Sequence, residues 1–289
     1  MKWLSDETLA HLRDIAETPD LRGTRYTLVR ELGRGGMGVV YEVHDQELDR
    51  SVAMKVVDDP TRGEARIIAA LEHPGIVPVH DVGLLEDGRF YYTMKLVRGV
   101  RLDEWVRQEH GRTEALRLFA RICEPVAFAH ANGVVHRDLK PENVMVGEFG
   151  AVLVMDWGVA HADGGAHERV IVGTPGYMAP EQARGERADA RSDVYALGAM
   201  LAFLAGDDAP RPLKAIVARA TAADASERYA DARELADDVV RFLDAEPVSA
   251  YRESVFERAG RWIVKYRALL TLLAAYLVMR AAVLFWTGH

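Results

Sequence analysis

The chain has 289 residues, of which 49% are apolar and 28% are charged, and its only cysteine is Cys123. This balance is typical of a globular protein that can bury a core without disulfides or structural metal ions. A single cysteine excludes an internal disulfide framework. The formal net charge of −8 disfavours a general role in nucleic-acid binding.

The first residues predict a short amphipathic helix over Ser5–Glu17, because Leu9, Leu12 and Ile15 recur at helical spacing. The acidic pair Asp6-Glu7 interrupts the sequence before an apolar stretch can form. No secretory signal peptide is therefore predicted at this end of the chain.

Strand patterns dominate the next part of the chain, and helical patterns dominate the remainder. The predicted strands are Tyr26–Leu32, Val39–His44, Val52–Val57, Val77–Leu84, Phe90–Leu96, Val134-Val135, Val144–Val146 and Ala151–Met155. The predicted helices are Ala65–Leu71, Thr113–Ala131, Asp193–Leu204, Leu213–Ala222 and Ala230–Leu243. Strands first and helices later indicate an α+β plan with two lobes, joined near Val97–Leu102.

Near the C-terminus, residues 267–286 are predicted to form a transmembrane helix, since twenty helical residues span roughly 30 Å. Nine strongly apolar residues there contribute about −3 to −5 kcal/mol, and Arg280 costs about 2.5 to 3.5 kcal/mol at most. Basic residues precede the span between 258 and 267, which places that side in the cytoplasm. The alternative is a buried or interfacial helix.

A glycine-rich turn, Gly33-Arg34-Gly35-Gly36-Met37-Gly38, separates the first two predicted strands. Glycines let a backbone approach a polyphosphate, and the amides can cradle its oxygens. For this motif alone, a hairpin that uses glycine only for turn geometry is an equal alternative. Lys55 lies in the apolar third predicted strand and can pair with phosphates, although on its own a surface lysine is the more common case.

A polar octet, His136-Arg137-Asp138-Leu139-Lys140-Pro141-Glu142-Asn143, lies between two apolar strands. Asp138 can accept the proton of an attacking hydroxyl, Lys140 can neutralise a phosphoryl group, and Asn143 can hold Mg²⁺. Asp156 follows the next strand and can chelate Mg²⁺ that bridges two phosphates. A merely solvated loop is a poor alternative for so specific an octet.

With a fifth motif, Gly173–Glu181, followed by Ser192–Gly198, the set resembles the eukaryotic-like (Hanks-type) serine/threonine protein kinases of bacteria. The resemblance covers about Tyr26 to Leu243. It implies a two-lobed protein-kinase fold and transfer of the γ-phosphoryl group of ATP to serine or threonine hydroxyls of proteins. The implied cofactors are ATP and Mg²⁺, with Mn²⁺ as an alternative ion. It implies no nucleic-acid partner and leaves a homodimer open.

The resemblance also assigns roles to residues. The implied catalytic residues are Asp138, the base, with Lys140, Asn143, Lys55 and Glu64. Asn143 and Asp156 would hold the metal ion, and Thr174 would lie in the loop on the substrate side. The implied ATP site, which includes the gatekeeper Met94 and a hinge at Lys95–Val97, comprises Leu32, Gly33, Arg34, Gly35, Gly36, Met37, Gly38, Val40, Ala53, Lys55, Met94, Lys95 and Val97.

The predicted organisation has four parts. They are a helix and linker at 1–25, a kinase domain at 26–244 (N-lobe 26–96, C-lobe 97–244), a juxtamembrane segment at 245–266 and the membrane helix at 267–286. The predicted span and the basic residues before it indicate a single-pass protein of the inner cell membrane with its kinase domain in the cytoplasm.

Several positions depart from the family pattern. Glu64 follows Lys55 by only nine residues, so a Lys55–Glu64 pair competes with the alternative that Glu64 merely complements a helix dipole. Trp157 stands where phenylalanine is usual and is expected to remain packed. The segment after Leu204 is short for the family, which bears on substrate docking more than on chemistry.

The loop before Glu181 also departs from the pattern, because Thr174 is its only serine or threonine after residue 159. Arg137 therefore lacks the usual phosphothreonine partner, for which Asp163 or Glu168 is a partial substitute. Two alternative functions remain: a nucleotide-binding pseudokinase that acts as a scaffold, and a small-molecule phosphotransferase on a related fold. Gly173–Glu181 speaks against the second, since it resembles a loop that receives a protein substrate.

Overall fold

The computed structural model describes residues 18–35, 38–57, 63–157, 161–162, 173–254, 257–258 and 266–287. Within these residues the chain forms a β-rich lobe up to residue 95 and a mainly helical lobe after it. The predicted α+β plan with two lobes is therefore confirmed.

The β-rich lobe is built on a five-stranded antiparallel sheet with the order β1-β2-β3-β5-β4. Its strands are β1 (Tyr26–Gly35), β2 (Gly38–Asp45), β3 (Arg50–Val57), β4 (Val79–Leu84) and β5 (Phe90–Lys95). Helix α1 (Gly63–Ala70) lies between β3 and β4 along the chain. Strand β4 forms one edge of the sheet, next to β5.

The two faces of this sheet belong to different clusters because side chains alternate along a strand. Val52, Met54 and Val56 of β3 lie in an outer cluster. The intervening Ala53 lies in the main core, on the face shared with α1. Lys55 also alternates with the outer set and is buried, at 5% exposure. The strand periodicity thus turns Lys55 inward.

The second lobe is built around α3 (Arg112–Ala131), whose Phe119, Ile122 and Val126 are fully buried. The other helices are α2 (Leu102–Trp105), α4 (Pro180–Ala183), α5 (Ala190–Ala205), α6 (Arg211–Ala220) and α7 (Ala232–Leu243). Short strands pair as β6 (Gly99–Arg101) with β8 (Val144–Gly147) and β9 (Val152–Val154), and as β7 (Val134–Val135) with β10 (His161–Ala162).

The predicted strands and helices of both lobes are present, with ends that differ by a few residues. The sequence did not predict β6, α2 or α4. Each has three or four residues. That is too short for a period of 2 or 3.6 to show in a pattern, so tertiary contacts decide these elements.

A last helix, α8 (Arg267–Thr287), forms where the membrane span was predicted. Among the described residues, however, no helix is both long enough and apolar enough to cross a membrane. A span needs about 20 predominantly apolar residues. The prediction of a transmembrane helix at 267–286 is thus not supported.

Candidate active site

A cleft of about 860 Å³ lies between the two lobes. It is lined by every predicted ATP-site residue that the structure describes, namely Leu32, Gly33, Arg34, Gly35, Gly38, Val40, Ala53, Lys55, Met94, Lys95 and Val97. Asp138, Lys140, Asn143 and Asp156 line the same cleft from the other lobe. Residues that are far apart in the sequence therefore meet in one cavity.

The roof of the cleft is the β1–β2 hairpin. A Cβ atom on Gly33 or Gly35 would meet no atom within 4 Å, so both face open space. At Gly38 the backbone has φ +129°, and a Cβ atom there would lie 2.2 Å from the carbonyl oxygen of Val56. Only glycine fits this position without strain. Gly36 and Met37, also predicted for this site, lie outside the described residues.

The apolar end of the cleft lies beside β5. Ala53 and Met94 face each other across β3 and β5 and are buried, at 4% and 6% exposure. Val97 follows β5 and is half-buried against the main core. A flat apolar slot bordered by the backbone of 95–97 suits a planar aromatic base.

The polar end of the cleft begins with an ion pair between the lobes. Lys55 Nζ lies 2.7 Å from Asp156 Oδ1. Burial acts to raise the pKa of Asp156, but the charge and hydrogen bond of Lys55 outweigh it and hold that pKa below its ordinary value. Asp156 is thus a carboxylate at neutral pH. The side chain of Glu64, in the first turn of α1, lies outside the described part, so the Lys55–Glu64 pair stays a prediction.

A second polar group surrounds Asp138. Lys140 Nζ donates to Asp138 Oδ2 and to Thr174 Oγ1, each at 2.9 Å. Thr174 Oγ1 in turn donates to Asp138 Oδ1 at 2.9 Å. Asn143 Nδ2 donates to the carbonyl oxygen of Asp138 at 2.8 Å. The predicted residues Asp138, Lys140, Asn143 and Thr174 therefore form one hydrogen-bonded cluster.

The backbone of this loop is held by Asp193, a role that the sequence did not predict. Asp193 is buried at the start of α5 and accepts from the amides of His136 and Arg137, each at 2.8 Å. It also lies 2.9 Å from His130 Nε2. Burial acts to raise its pKa, but the bond and charge of His130 lower the pKa below its ordinary value. The sequence signal that could have indicated this role is an acidic residue at the start of an otherwise apolar predicted helix.

Arg137 and Trp157 complete the support of the loop. Arg137 has φ 71°, a left-handed conformation that costs about 1–3 kcal/mol in a non-glycine residue. Its carbonyl oxygen accepts from Gln182 Nε2 at 2.8 Å. Trp157 is buried as expected, with its ring centroid 4.6 Å from that of His136. Asp163 and Glu168, the predicted acidic substitutes near Arg137, lie outside the described residues.

A buried ion pair fixes the segment beyond Thr174. Arg228 donates from Nη1 and Nη2 to the two carboxylate oxygens of Glu181, at 2.7 and 2.8 Å. Ser192 Oγ donates to the same carboxylate at 2.8 Å. The sequence indicated Glu181 as part of a motif, but nothing in it pointed to Arg228, 47 residues away. A two-pronged guanidinium contact gives this segment one defined position.

A comparison with protein-family models matches "Protein kinase domain" over residues 26–244. The chain belongs to the protein kinase domain family. The predicted resemblance to bacterial serine/threonine kinases is confirmed, because the relatives that it matches carry that name. The family also implies that this kinase uses ATP and a divalent metal ion.

Three curated relatives illustrate the similarity. The chain is 37% identical over 282 residues to serine/threonine-protein kinase PknB of Mycobacterium tuberculosis, which covers 81% of this chain and 45% of that protein. It is 38% identical over 269 residues to PknB of Mycolicibacterium smegmatis, covering 84% and 43%. It is 32% identical over 294 residues to PknD of Chlamydia pneumoniae, covering 77% and 31%. The kinase thus spans less than half the length of these relatives.

Proposed function

We propose that this kinase transfers the γ-phosphoryl group of ATP to serine or threonine hydroxyls of protein substrates. The observation that carries the proposal is the cluster of Asp138, Lys140 and Thr174 in the same cleft as the Lys55–Asp156 pair. One cavity thus presents a carboxylate for proton transfer, cations for phosphates and carboxylate and amide oxygens for a metal. Phosphoryl transfer needs mainly positioning and charge stabilisation, which these groups supply.

Asp138 is the proposed base. Its carboxylate would accept the proton of the substrate hydroxyl as that oxygen attacks the γ-phosphorus. Lys140 donates a hydrogen bond to Asp138, and its ammonium group would lie beside the oxygens of the phosphoryl group during transfer. Thr174 orients the carboxylate through its own hydroxyl. The phosphoryl group moves to the substrate oxygen, and ADP leaves with the electrons of the broken P–O bond.

Asn143 and Asp156 fit the metal ion that the family implies. Asn143 donates from Nδ2 to Asp138, so its Oδ1 can act as a metal ligand. Asp156 is ionised because Lys55 lowers its pKa. Mg²⁺ prefers oxygen ligands and takes few from protein, with water and phosphates completing its shell. When bound, Mg²⁺ would neutralise charge on the phosphates; Mn²⁺ would accept the same ligands.

The ATP site follows from the lining of the cleft. The glycine hairpin would cover the phosphates, with Gly33 and Gly35 open toward them. Lys55 would bind the α- and β-phosphates, and the backbone at Lys95–Val97 would bind adenine beside Ala53 and Met94. We assign the kinase domain to 26–244, divided at residue 96, with the N-terminal segment and the C-terminal helix outside it.

Transfer from γ-labelled ATP tests the function directly. We expect the full-length chain with Mg²⁺ to label serine or threonine in itself or in a basic test protein, and the Asp138→Asn variant to label neither. ATP binding by the variant, measured by calorimetry, is the control for folding. If the wild-type chain binds ATP tightly but transfers no label, the pseudokinase scaffold becomes the better description.

We further propose that helix α8 attaches this kinase to the cytoplasmic face of the inner membrane. The support is its surface, where large apolar side chains are mostly more than half exposed and Trp286 is 87% exposed. Exposed apolar surface on this scale is rare in soluble monomers. We expect the full-length chain to float with anionic lipid vesicles and a chain that lacks residues 267–289 to stay behind. Equal flotation of the two proteins would refute the attachment.

A further inference from the structure

Two large apolar side chains of β4 are exposed although they lie on the face of the sheet that carries the main core. Val82 and Leu84 are 48% and 52% exposed. They lie opposite Tyr92 and Phe90 of β5, and both of these partners belong to the main core. Residues directly opposite in an antiparallel pair point to the same face. Val82 and Leu84 therefore lie on the inner face of the sheet, the face shared with α1.

The β4 patch, formed by Val82 and Leu84, lies at the edge of the sheet, on the face shared with α1. The described part of α1 has eight residues, which is about 12 Å of helix. Strand β4 is an edge strand, farther from the centre of the sheet than β5. An edge strand with exposed apolar side chains is usually covered by another element, because it otherwise invites association.

The first seventeen residues precede the described part of the chain, and their entry point lies close to the β4 patch. A Cβ atom on Gly23 would lie 3.4 Å from Glu86 Oε1, in the turn that follows β4. Leu21 belongs to the outer cluster together with Leu85, the residue directly after Leu84. The described chain thus begins near the C-terminal end of β4, at the edge of the sheet.

We propose that the N-terminal segment Ser5–Glu17 folds back over the rim of the sheet and covers the β4 patch of its own chain. Its predicted helix has one apolar stripe, formed by Leu9, Leu12 and Ile15. Thirteen helical residues measure about 20 Å, which matches the length of a six-residue strand. The segment would brace α1 and through it the wall of the cleft beside Lys55. A second copy of the chain is the competing occupant.

Disulfide trapping in the full-length chain tests this docking. The pair Ile15→Cys with Leu84→Cys places one thiol on the stripe and one on the patch. The control pair is Ile15→Cys with Leu48→Cys, which is 56% exposed in the β2–β3 turn at the opposite end of the sheet. The native Cys123 is fully buried, and burial raises its pKa, so it stays unreactive.

We expect a disulfide within one chain for the first pair, at protein concentrations in the micromolar range. A short linker gives an effective concentration of about 1 mM, so trapping within one chain should exceed trapping between chains by about tenfold or more. The control pair shares this linker, so faster trapping of the first pair reports docking at the β4 patch. Disulfides between two chains that increase with concentration would assign the patch to a second copy and overturn the proposal. Trapping no faster than in the control pair would also overturn it.

Hydrogen exchange gives a second reading without cysteines. Leu12→Asp removes the centre of the stripe, and we expect faster exchange of the amides of α1 and β4. Ala10→Asp places the same charge on the opposite side of the predicted helix and should leave that exchange unchanged. Equal exchange in the two variants would contradict the docking, whatever their activity.

Discussion

Thr174 donates a hydrogen bond of 2.9 Å to Oδ1 of Asp138, and Lys140 bonds both residues. The loop on the substrate side is thus tied directly to the proposed base. Thr174 has no spare hydroxyl hydrogen for another acceptor while this bond persists. Its hydroxyl orients Asp138, and its position reports whether the loop is seated on the site.

Replacing Thr174 by valine should lower kcat while leaving ATP affinity nearly unchanged. The change removes a hydrogen bond to a charged group, which is worth about 1.5–3 kcal/mol, or about 10- to 160-fold in rate. Thr174→Ser keeps the hydroxyl and should retain most of the activity. Steady-state kinetics of the two variants check this. An unchanged kcat in Thr174→Val would contradict this role of the bond.

Activity should not depend on phosphorylation of this loop. Thr174 is the only serine or threonine between residues 159 and 181, and its hydroxyl already bonds Asp138. A phosphate there would break that bond and bring negative charge against a carboxylate. We expect the protein treated with a phosphatase, then freed of it, to show the same initial rate as untreated protein. A lag that ends with labelling of Thr174 would contradict this expectation.

The sequence predicted most of the fold and the catalytic groups, because both depend on short-range periodicity and on contiguous motifs. Alternation turns Lys55 inward, and the octet around Asp138 is contiguous. Asp193 and Arg228 were not predicted, since their partners lie 57 and 47 residues away and no period links them. The membrane span was predicted from composition over twenty residues, whereas among the described residues no helix has both the length and the apolar character that a span requires.

Two glycines of the hairpin should respond differently to alanine. Gly38→Ala puts a Cβ atom 2.2 Å from the oxygen of Val56 at φ +129°, so we expect it to destabilise the kinase by about 1–3 kcal/mol or more. Gly35→Ala meets no atom within 4 Å and should leave stability nearly unchanged while weakening ATP binding from the cleft side. Thermal unfolding and calorimetry with ATP separate the two effects. Equal melting temperatures would contradict the strain at Gly38.

The pair of Glu181 and Arg228 should make stability depend on pH in the acid range. Burial acts to raise the pKa of Glu181, but the hydrogen bond from Arg228 outweighs it and holds that pKa below its ordinary value. A carboxyl whose pKa is lower in the folded state contributes stability above its unfolded pKa of about 4.3. That contribution is lost as the pH falls through the folded pKa. Arg228→Met leaves a buried carboxylate unpaired and should cost about 3–5 kcal/mol at pH 7.

Denaturant unfolding at several pH values checks this relationship. The difference in unfolding free energy between wild type and Arg228→Met should shrink as the pH falls from about 4.3 toward the lowered folded pKa of Glu181, because wild type loses the contribution of its ionised carboxylate over that range. The double variant Glu181→Leu with Arg228→Met removes both charges and should be more stable than Arg228→Met alone, since no unpaired carboxylate remains. A difference between wild type and Arg228→Met that stays constant down to pH 3 would show that Arg228 acts through packing against Tyr195, 5.0 Å from its guanidinium, and not through its charge.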